Sequence, residues 1–155
     1  MKLTEETFKT HVSTLLVETQ RMPEFVDITD RVLESIGASG VTNGMACVFS
    51  RHTTGAITIQ ENEPLLLNDM SSLLEKLVPR AARYGHNDFS IRTVHMVEDE
   101  CPNGHSHCQH LLLGASENVP LVDGKLTLGE FQRIFMVELD DQRDYRQVLV
   151  QIMGA

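Results

Sequence analysis

Three histidines, His105, His107 and His110, fall within six residues of the stretch NGHSHCQHLLLG, 103–114. Imidazole is the one side chain whose ordinary pKa lies near neutrality, so it serves as base, hydrogen-bond donor or metal ligand. Read as a strand, the stretch puts His105 and His107 on one face and His110 on the other. Read as a helix, it has both end signals. Ser106 is the N-cap with Gln109 completing a capping box, Leu111 to Leu113 form the buried turn, and Gly114 is the stop. The helix is preferred. It sets His105 and His107 at an N-terminus and gives His107, His110 and Leu111 a common face. Unpaired N–H groups and a partial positive charge make such an end an anion site. The same charge keeps nearby imidazoles neutral at pH 7. A single histidine here would ordinarily be a solvated loop residue. Three together, beside Asn103, point to a site.

Other polar clusters stand at element boundaries, where sites are usually built. RHTT, 51–54, sets His52 beside Thr53 and Thr54. ENE, 61–63, sets Glu61 and Glu63 around Asn62 just before Pro64. YGHND, 84–88, presents His86, Asn87 and Asp88 after Gly85. Each has a plain structural reading: Asn-Asp as a turn or cap, Glu-Asn-Glu as a solvated face, Glu61 as a carboxylate near a helix start.

The elements that must position these clusters follow from periodicity. Phe8 to Val17 alternates loosely through Phe8, Thr10, Val12, Thr14 and Leu16 and reads as a strand. Asp27 or Thr29 caps a helix carrying Ile28, Val32, Leu33 and Ile36, and Gly37 stops it. GMACVFS, 44–50, is apolar on both faces and reads as a central strand. RHTTG is a turn at its end, and AITIQE, 56–61, is the next strand. Pro64 opens a helix through Leu66, Met70, Leu73, Leu74 and Leu77 that ends before Pro79. FSIRTVHMV, 89–97, reads as extended. A turn at Asp123-Gly124 joins two strands. FQRIFMVEL alternates through Phe131, Arg133, Phe135, Val137 and Leu139, and YRQVLVQIM is the last strand. Long strands with two or three helices between them make an α+β fold with mostly antiparallel pairing.

The chain has 155 residues, 41% hydrophobic and 23% charged, which fits one domain, 1–155, with a hydrophobic core. A net charge of −9 with no Trp and two Tyr disfavours a nucleic-acid surface. Three cysteines, Cys47, Cys101 and Cys108, without paired hooks argue against a disulfide framework. Cys47 reads as core. No signal segment or membrane helix is visible, so a soluble cytoplasmic protein is expected.

Taken together and in order, RHTTGAITIQENE, YGHND, NGHSHCQHLLLG and LTLGEFQRIFMVELD resemble the YjbQ family, described as secondary thiamine-phosphate synthase. The resemblance runs from about residue 5 to 154. It implies a compact α+β domain on a β-sandwich-like core, and a homotrimer with sites near subunit boundaries. The positions it carries over are His52, Thr53, Thr54, Glu61, Asn62, His86, Asn87, Asp88, Asn103, Gly104, His105, His107, Gly129 and Gln132. Of these, Thr53, Thr54, Asn62, Asn87, Asn103, Gly104 and Gln132 are expected to bind substrate or anion. His52, Asp88, His105 and His107 are expected to be catalytic. Three positions depart from the family pattern: His110, Phe131, and the DQRDYR segment around Arg143.

Three functions fit these residues. The first joins a pyrimidine methyl diphosphate to a thiazole phosphate and expels diphosphate. Asp88, Glu61 and Glu63 would hold Mg²⁺, the helix end with His105 and His107 would take phosphate, and His52 would move a proton. Arg51 and Arg92 are the nearest cations in sequence. The second is a Zn²⁺ hydrolase with His52, His105, His107 and Asp88 as ligands. A closed zinc site on Cys101 and Cys108 lacks the usual spacing. The third is a non-catalytic trimeric protein that binds a small anion.

Overall fold

A computed structural model describes residues 7–141 and 145–155; Arg143 lies outside them. Eight strands and three helices follow in the order β1 (Lys9–Glu18), β2 (Glu24–Asp27), α1 (Thr29–Ser39), β3 (Gly44–Ser50), β4 (Gly55–Glu61), α2 (Pro64–Leu77), α3 (Gly104–Leu113), β5 (Ser116–Val122), β6 (Lys125–Leu126), β7 (Gln132–Glu138) and β8 (Tyr145–Gly154). They form two antiparallel sheets, β1-β8-β3-β5-β6 and β2-β7-β4. The expected α+β fold with a β-sandwich-like, mostly antiparallel core is the fold observed.

Between the sheets lies the main core. Val17, Ala46, Val48, Val150 and Ile152 meet Ile57, Ile134 and Met136, and α1 closes one side with Val32 and Ile36. Each such side chain, fully buried, contributes roughly 1.5–3 kcal/mol of transfer free energy. A second cluster, Ala56, Leu74, Phe135, Val137 and Leu139, lies on the opposite face of β4 and β7, with Leu67 of α2 and Leu113 of α3 packed against it. β7 is therefore buried on both faces, and the half-solvated alternation expected of it gives way to a continuous buried run, Ile134 to Glu138.

β3 sits third of five strands, as its apolar run demands. Its outward face is not covered by the described residues. Met45 and Phe49 join Val12 and Leu16 as exposed side chains on the far side of the large sheet. Cys47 shares that phase and is only partly buried, so it is not a core residue. All three cysteines are free thiols.

Local signals decide the helix ends. Asp27 Oδ1 accepts from the Thr29 amide at 3.0 Å and from its hydroxyl at 2.7 Å just ahead of α1, but the N-cap position is Ile28 and no side chain caps the helix, so neither Asp27 nor Thr29 is the cap the sequence suggested. Gly37 does not stop that helix. A glycine inside a helix costs only about 1 kcal/mol, whereas termination needs a left-handed residue, and Gly40 supplies it with φ 64°. Pro64 is the first residue of α2, and the Glu63 carboxylate caps it by accepting from the Leu65 and Leu66 amides at 3.0 and 2.7 Å. The Asp123-Gly124 turn has both residues at positive φ, 50° and 73°, as a tight hairpin requires.

The segment 78–103 contains no strand. FSIRTVHMV is a run of turns rather than an extended stretch. Arg92 binds the carbonyls of His86 at 3.4 Å and His95 at 2.9 Å and pairs with the Glu100 carboxylate. These bonds fold the segment on itself, so it pairs with neither sheet. Among the described residues no helix is long and apolar enough to cross a membrane.

Candidate functional site

The site is built where β4 begins, β7 ends and β8 begins. Arg146 and Glu138 are 2% and 1% exposed. Arg146 Nε donates to Glu138 Oε2 at 2.7 Å, and its Nη2 pairs with Oε1. The carboxylate also accepts from the Thr19 hydroxyl at 2.9 Å and the Asp140 amide at 2.9 Å. A buried ion pair needs such further donors to offset its desolvation. Arg146 Nη2 donates to Thr54 Oγ1 at 3.1 Å, which leaves the Thr54 hydroxyl proton to donate elsewhere.

One wall is the N-terminus of α3. Asn103 is the N-cap residue, but its side chain caps nothing. Its Nδ2 donates to Asp140 Oδ2 at 3.0 Å. Asp140 Oδ1 accepts from Cys101 Sγ at 3.7 Å. The first helical amide, Gly104, donates to Asn87 Oδ1 at 2.8 Å, so a side chain from the turn Gly85–Asn87 takes the anion's place at that position. A side chain at 104 would put its Cβ 2.6 Å from Tyr84 Cβ, which explains the glycine. Ser106 is not the N-cap. The helix starts two residues earlier, and Ser106 lies buried within it, its hydroxyl 3.3 Å from His105 Nε2. Gln109 donates to the Val78 carbonyl at 3.2 Å instead of closing a capping box. Leu111 and Leu112 are 82% and 55% exposed, so only Leu113 of the leucine run packs inward.

A cavity of about 820 Å³ opens between this wall and the folded segment. It is lined by Thr53, Thr54, His86, Arg92, Glu100, Cys101, Asn103 and His107, with Glu98 and Asp99 also on its lining. The rings of His86 and His107 meet edge to face, centroids 4.6 Å apart. His86 Nε2 is 3.6 Å from Glu100 Oε1, too long for a hydrogen bond, and it has no hydrogen-bond partner among the described residues. Burial holds the His107 pKa below its ordinary value, and the charge His86 can carry pushes the same way. Arg92, hydrogen-bonded to Glu100, holds that carboxyl below the usual range. Arg92 is thus committed to the segment's own carbonyls and carboxylate.

The other expected residues scatter. His105 is 2% exposed and does not line the cavity. Burial, then the Arg80 charge, lowers its pKa. His110 is lowered by burial alone. Desolvation is thus the leading cause for all three imidazoles. His52 Nε2 accepts from the Gln147 amide at 2.8 Å and lies in a neighbouring cavity of about 510 Å³ with Arg51, Thr53 and Thr54. His110 faces a third, shallower recess beside His52 and Phe49. Cys108 is exposed. Asp88 Oδ1 accepts from the Ser90 amide at 3.2 Å and its hydroxyl at 2.5 Å, a local turn. Glu61 and Gln132 pair at the opposite end of β4 and β7, roughly 20 Å along the strand from Thr54. There Asn62 donates to Asp27 Oδ2 at 3.0 Å, and the Gly129 amide donates to Gln132 Oε1 at 2.8 Å.

The ligand sets drawn for a metal therefore do not converge in one chain. His52, His105, His107 and Asp88 point to different places, Glu63 is spent as a cap, and Glu61 is at the far end. Among the described residues no three His, Cys, Asp or Glu side chains are grouped to hold a metal ion.

Sequence reasoning missed Glu138, Asp140 and Arg146. A signal existed. Arg146 shares the phase of Val148, Val150 and Ile152, and Glu138 that of Ile134 and Met136, all buried. Opposite charges in two buried phases imply a pair.

The family model described as UPF0047 protein YjbQ-like matches residues 13–155. A UPF0047 protein of Methanothermobacter thermautotrophicus is 42% identical over 140 residues, covering 90% of each chain. The UPF0047 protein YugU of Bacillus subtilis is 31% identical over 144 residues, covering 92% of this chain and 99% of that one. The crystal structure of a protein of unknown function from Sulfolobus solfataricus, described as YbjQ-like, superposes with a TM-score of 0.85 at 34% identity, covering 96% of this chain and 100% of that one.

Proposed function

We propose that this chain, which belongs to the YjbQ-like UPF0047 family, binds a small phosphorylated molecule in the cavity beside His86 and His107 and acts on it as a transferase. The observation that carries the reading is the imidazole pair, centroids 4.6 Å apart, on the wall of the cavity. His107 is kept neutral by burial and can donate to, or take a proton from, a bound group near pH 7. The Thr54 hydroxyl, fixed by Arg146, and the neighbouring Thr53 hydroxyl are donors for phosphate oxygens.

The reaction implied by the family resemblance suits such a site. The thiazole ring nitrogen forms a bond to the methylene carbon of the pyrimidine. That carbon's bond to the diphosphate oxygen breaks, and diphosphate leaves with the electron pair. Neutral donors around the departing oxygens stabilise their charge. Because the carboxylates and histidines considered as ligands do not converge, no step is assigned to Zn²⁺ or Mg²⁺.

We also propose that the working form is a homotrimer. Two observations support it. Among the described residues the large sheet leaves Val12, Leu16, Met45 and Phe49 exposed, and the site positions of the resemblance divide between the two ends of β4 and β7, which a neighbouring subunit would bring closer.

The test is calorimetric titration of the pyrimidine diphosphate and the thiazole phosphate separately, followed by an assay of diphosphate release with both. His107→Gln should keep the unfolding temperature and lose about 100-fold in turnover. Binding without turnover in the wild type would make the protein a non-catalytic ligand binder. No binding of either compound would refute the phosphate reading.

A further inference from the structure

The apolar spacing of α2 is used by neither the cavity nor the core. Leu66, Met70, Leu73 and Leu77 recur at steps of four, three and four residues, which is the seam of a two-helix coil. The fold leaves that seam open. α2 rests on the outer face of β4 and β7 through Leu67 and Leu74, one position further round the helix. Leu73 and Leu77 are 53% and 60% exposed. Leu66 and Met70 are half-buried and join neither core cluster. A facing apolar surface would recover the free energy of holding these side chains in water.

Charge says what that surface is. In the heptad that puts Leu66 and Leu73 at d and Met70 and Leu77 at a, Asp69 and Lys76 both occupy g. Both are exposed, and among the described residues neither makes an ion pair. Two g positions face each other when paired helices run antiparallel. In that arrangement Leu66 meets Leu77 of the second copy and Met70 meets its Leu73, while Asp69 meets its Lys76 and Lys76 its Asp69. One register satisfies the seam and both charge pairs. A parallel pair would set g against e, and the e positions here are Leu67 and Leu74, turned to the chain's own core. The stripe is complementary to itself.

We infer that α2 is a two-fold docking surface for a second copy of this chain, packed antiparallel along Leu66, Met70, Leu73 and Leu77 and set in register by Asp69 and Lys76. Such a contact is isologous, so it closes on two copies and cannot build a three-fold ring. It is distinct from the trimer contact proposed above, and the two together would give a dimer of trimers. α2 has 14 residues and is about 21 Å long. One helix pair of that length is at the small end of specific interfaces, so an isolated pair separates on dilution, whereas pairs formed together between two trimers reinforce one another.

Sedimentation velocity of the full chain over a range of concentrations tests this. The wild type should reach an even number of chains as concentration rises. Leu73→Glu puts a carboxylate into the seam against Met70 of the second copy and should halve that number. Its unfolding temperature should stay near the wild type's, because Leu73 is exposed. Asp69→Lys sets lysine against lysine twice and should weaken the association about tenfold, two modest ion pairs giving way to two repulsions. Asp69→Lys/Lys76→Asp rebuilds both pairs and should restore the wild-type association. One chain at every concentration overturns the inference. Three chains at every concentration overturns it and leaves the trimer standing. An even assembly that Leu73→Glu leaves intact, or that the double swap does not rescue, overturns it as well.

Discussion

Removing Arg146 should be among the most damaging single changes in the chain, although no part of the ligand need touch it. Glu138 is 1% exposed, and two of the contacts to its carboxylate come from Arg146. In Arg146→Met the carboxylate keeps the Thr19 hydroxyl and the Asp140 amide but loses its counter-charge. An uncompensated buried charge costs about 3–5 kcal/mol. For a domain of this size each kcal/mol lowers the midpoint by roughly 2–4 °C, so the expected fall is about 6–20 °C. Thermal and urea unfolding at pH 7.5 measure it. The double variant Glu138→Leu/Arg146→Met removes both charges and should cost clearly less than the sum of the single changes, because neither ion is left alone. The Thr54 hydroxyl also loses its anchor, so phosphate-ester affinity should weaken in Arg146→Met even under conditions where it stays folded. A loss below about 1 kcal/mol, or additivity in the cycle, would refute this view of the pair.

Two further outcomes follow from the same geometry. Gly104→Ala sets a Cβ 2.6 Å from Tyr84 Cβ and 3.0 Å from Asn87 Oδ1. It should cost about 1–3 kcal/mol by overpacking and displace the Asn87 cap, and an unfolding midpoint equal to the wild type's would contradict the close approach. Stability should also fall as pH drops. His105, His107 and His110 have folded pKa values below the ordinary one. The unfolded chain therefore binds more protons than the folded one from about pH 6.5 downward, and the difference levels off below the folded values. Unfolding midpoints from pH 8 to pH 5 should decline through that window, less steeply in His105→Gln, and a flat or rising profile would show that these imidazoles are not held neutral.

The strands were legible where one physical signal acts alone. Phe8 to Val17 is a strand, but the alternating set read from the sequence, Phe8, Thr10, Val12, Thr14 and Leu16, is its exposed face, and Leu15 and Val17 in the other phase meet the core. Pro64 opens a helix, and Asp123-Gly124 makes a hairpin, because their backbone preferences leave few alternatives. Failures came where tertiary contacts chose between local options. Ser106 had the composition of a cap, but Asn87 reaches Gly104 from another element and starts the helix earlier. Gly37 and Gly40 both could stop a helix, and only the backbone shows which one turns left-handed. For the site, the sequence named His86, His107, Asn103, Thr53 and Thr54, which the fold does bring to one cavity. It did not foresee that His105 would be buried or that His52 would serve a backbone amide. Nor did it foresee that β4 would carry Glu61 and Asn62 to the far end.

The most direct test is side-chain NMR of the histidine imidazoles while the pyrimidine diphosphate is titrated in. His86 and His107 should shift in a saturating, dose-dependent way, and buried His105, off the cavity lining, should stay in place. Movement of His52 and His110 alone would put the ligand in the neighbouring recesses, and no movement at all would contradict a ligand site beside the imidazole pair.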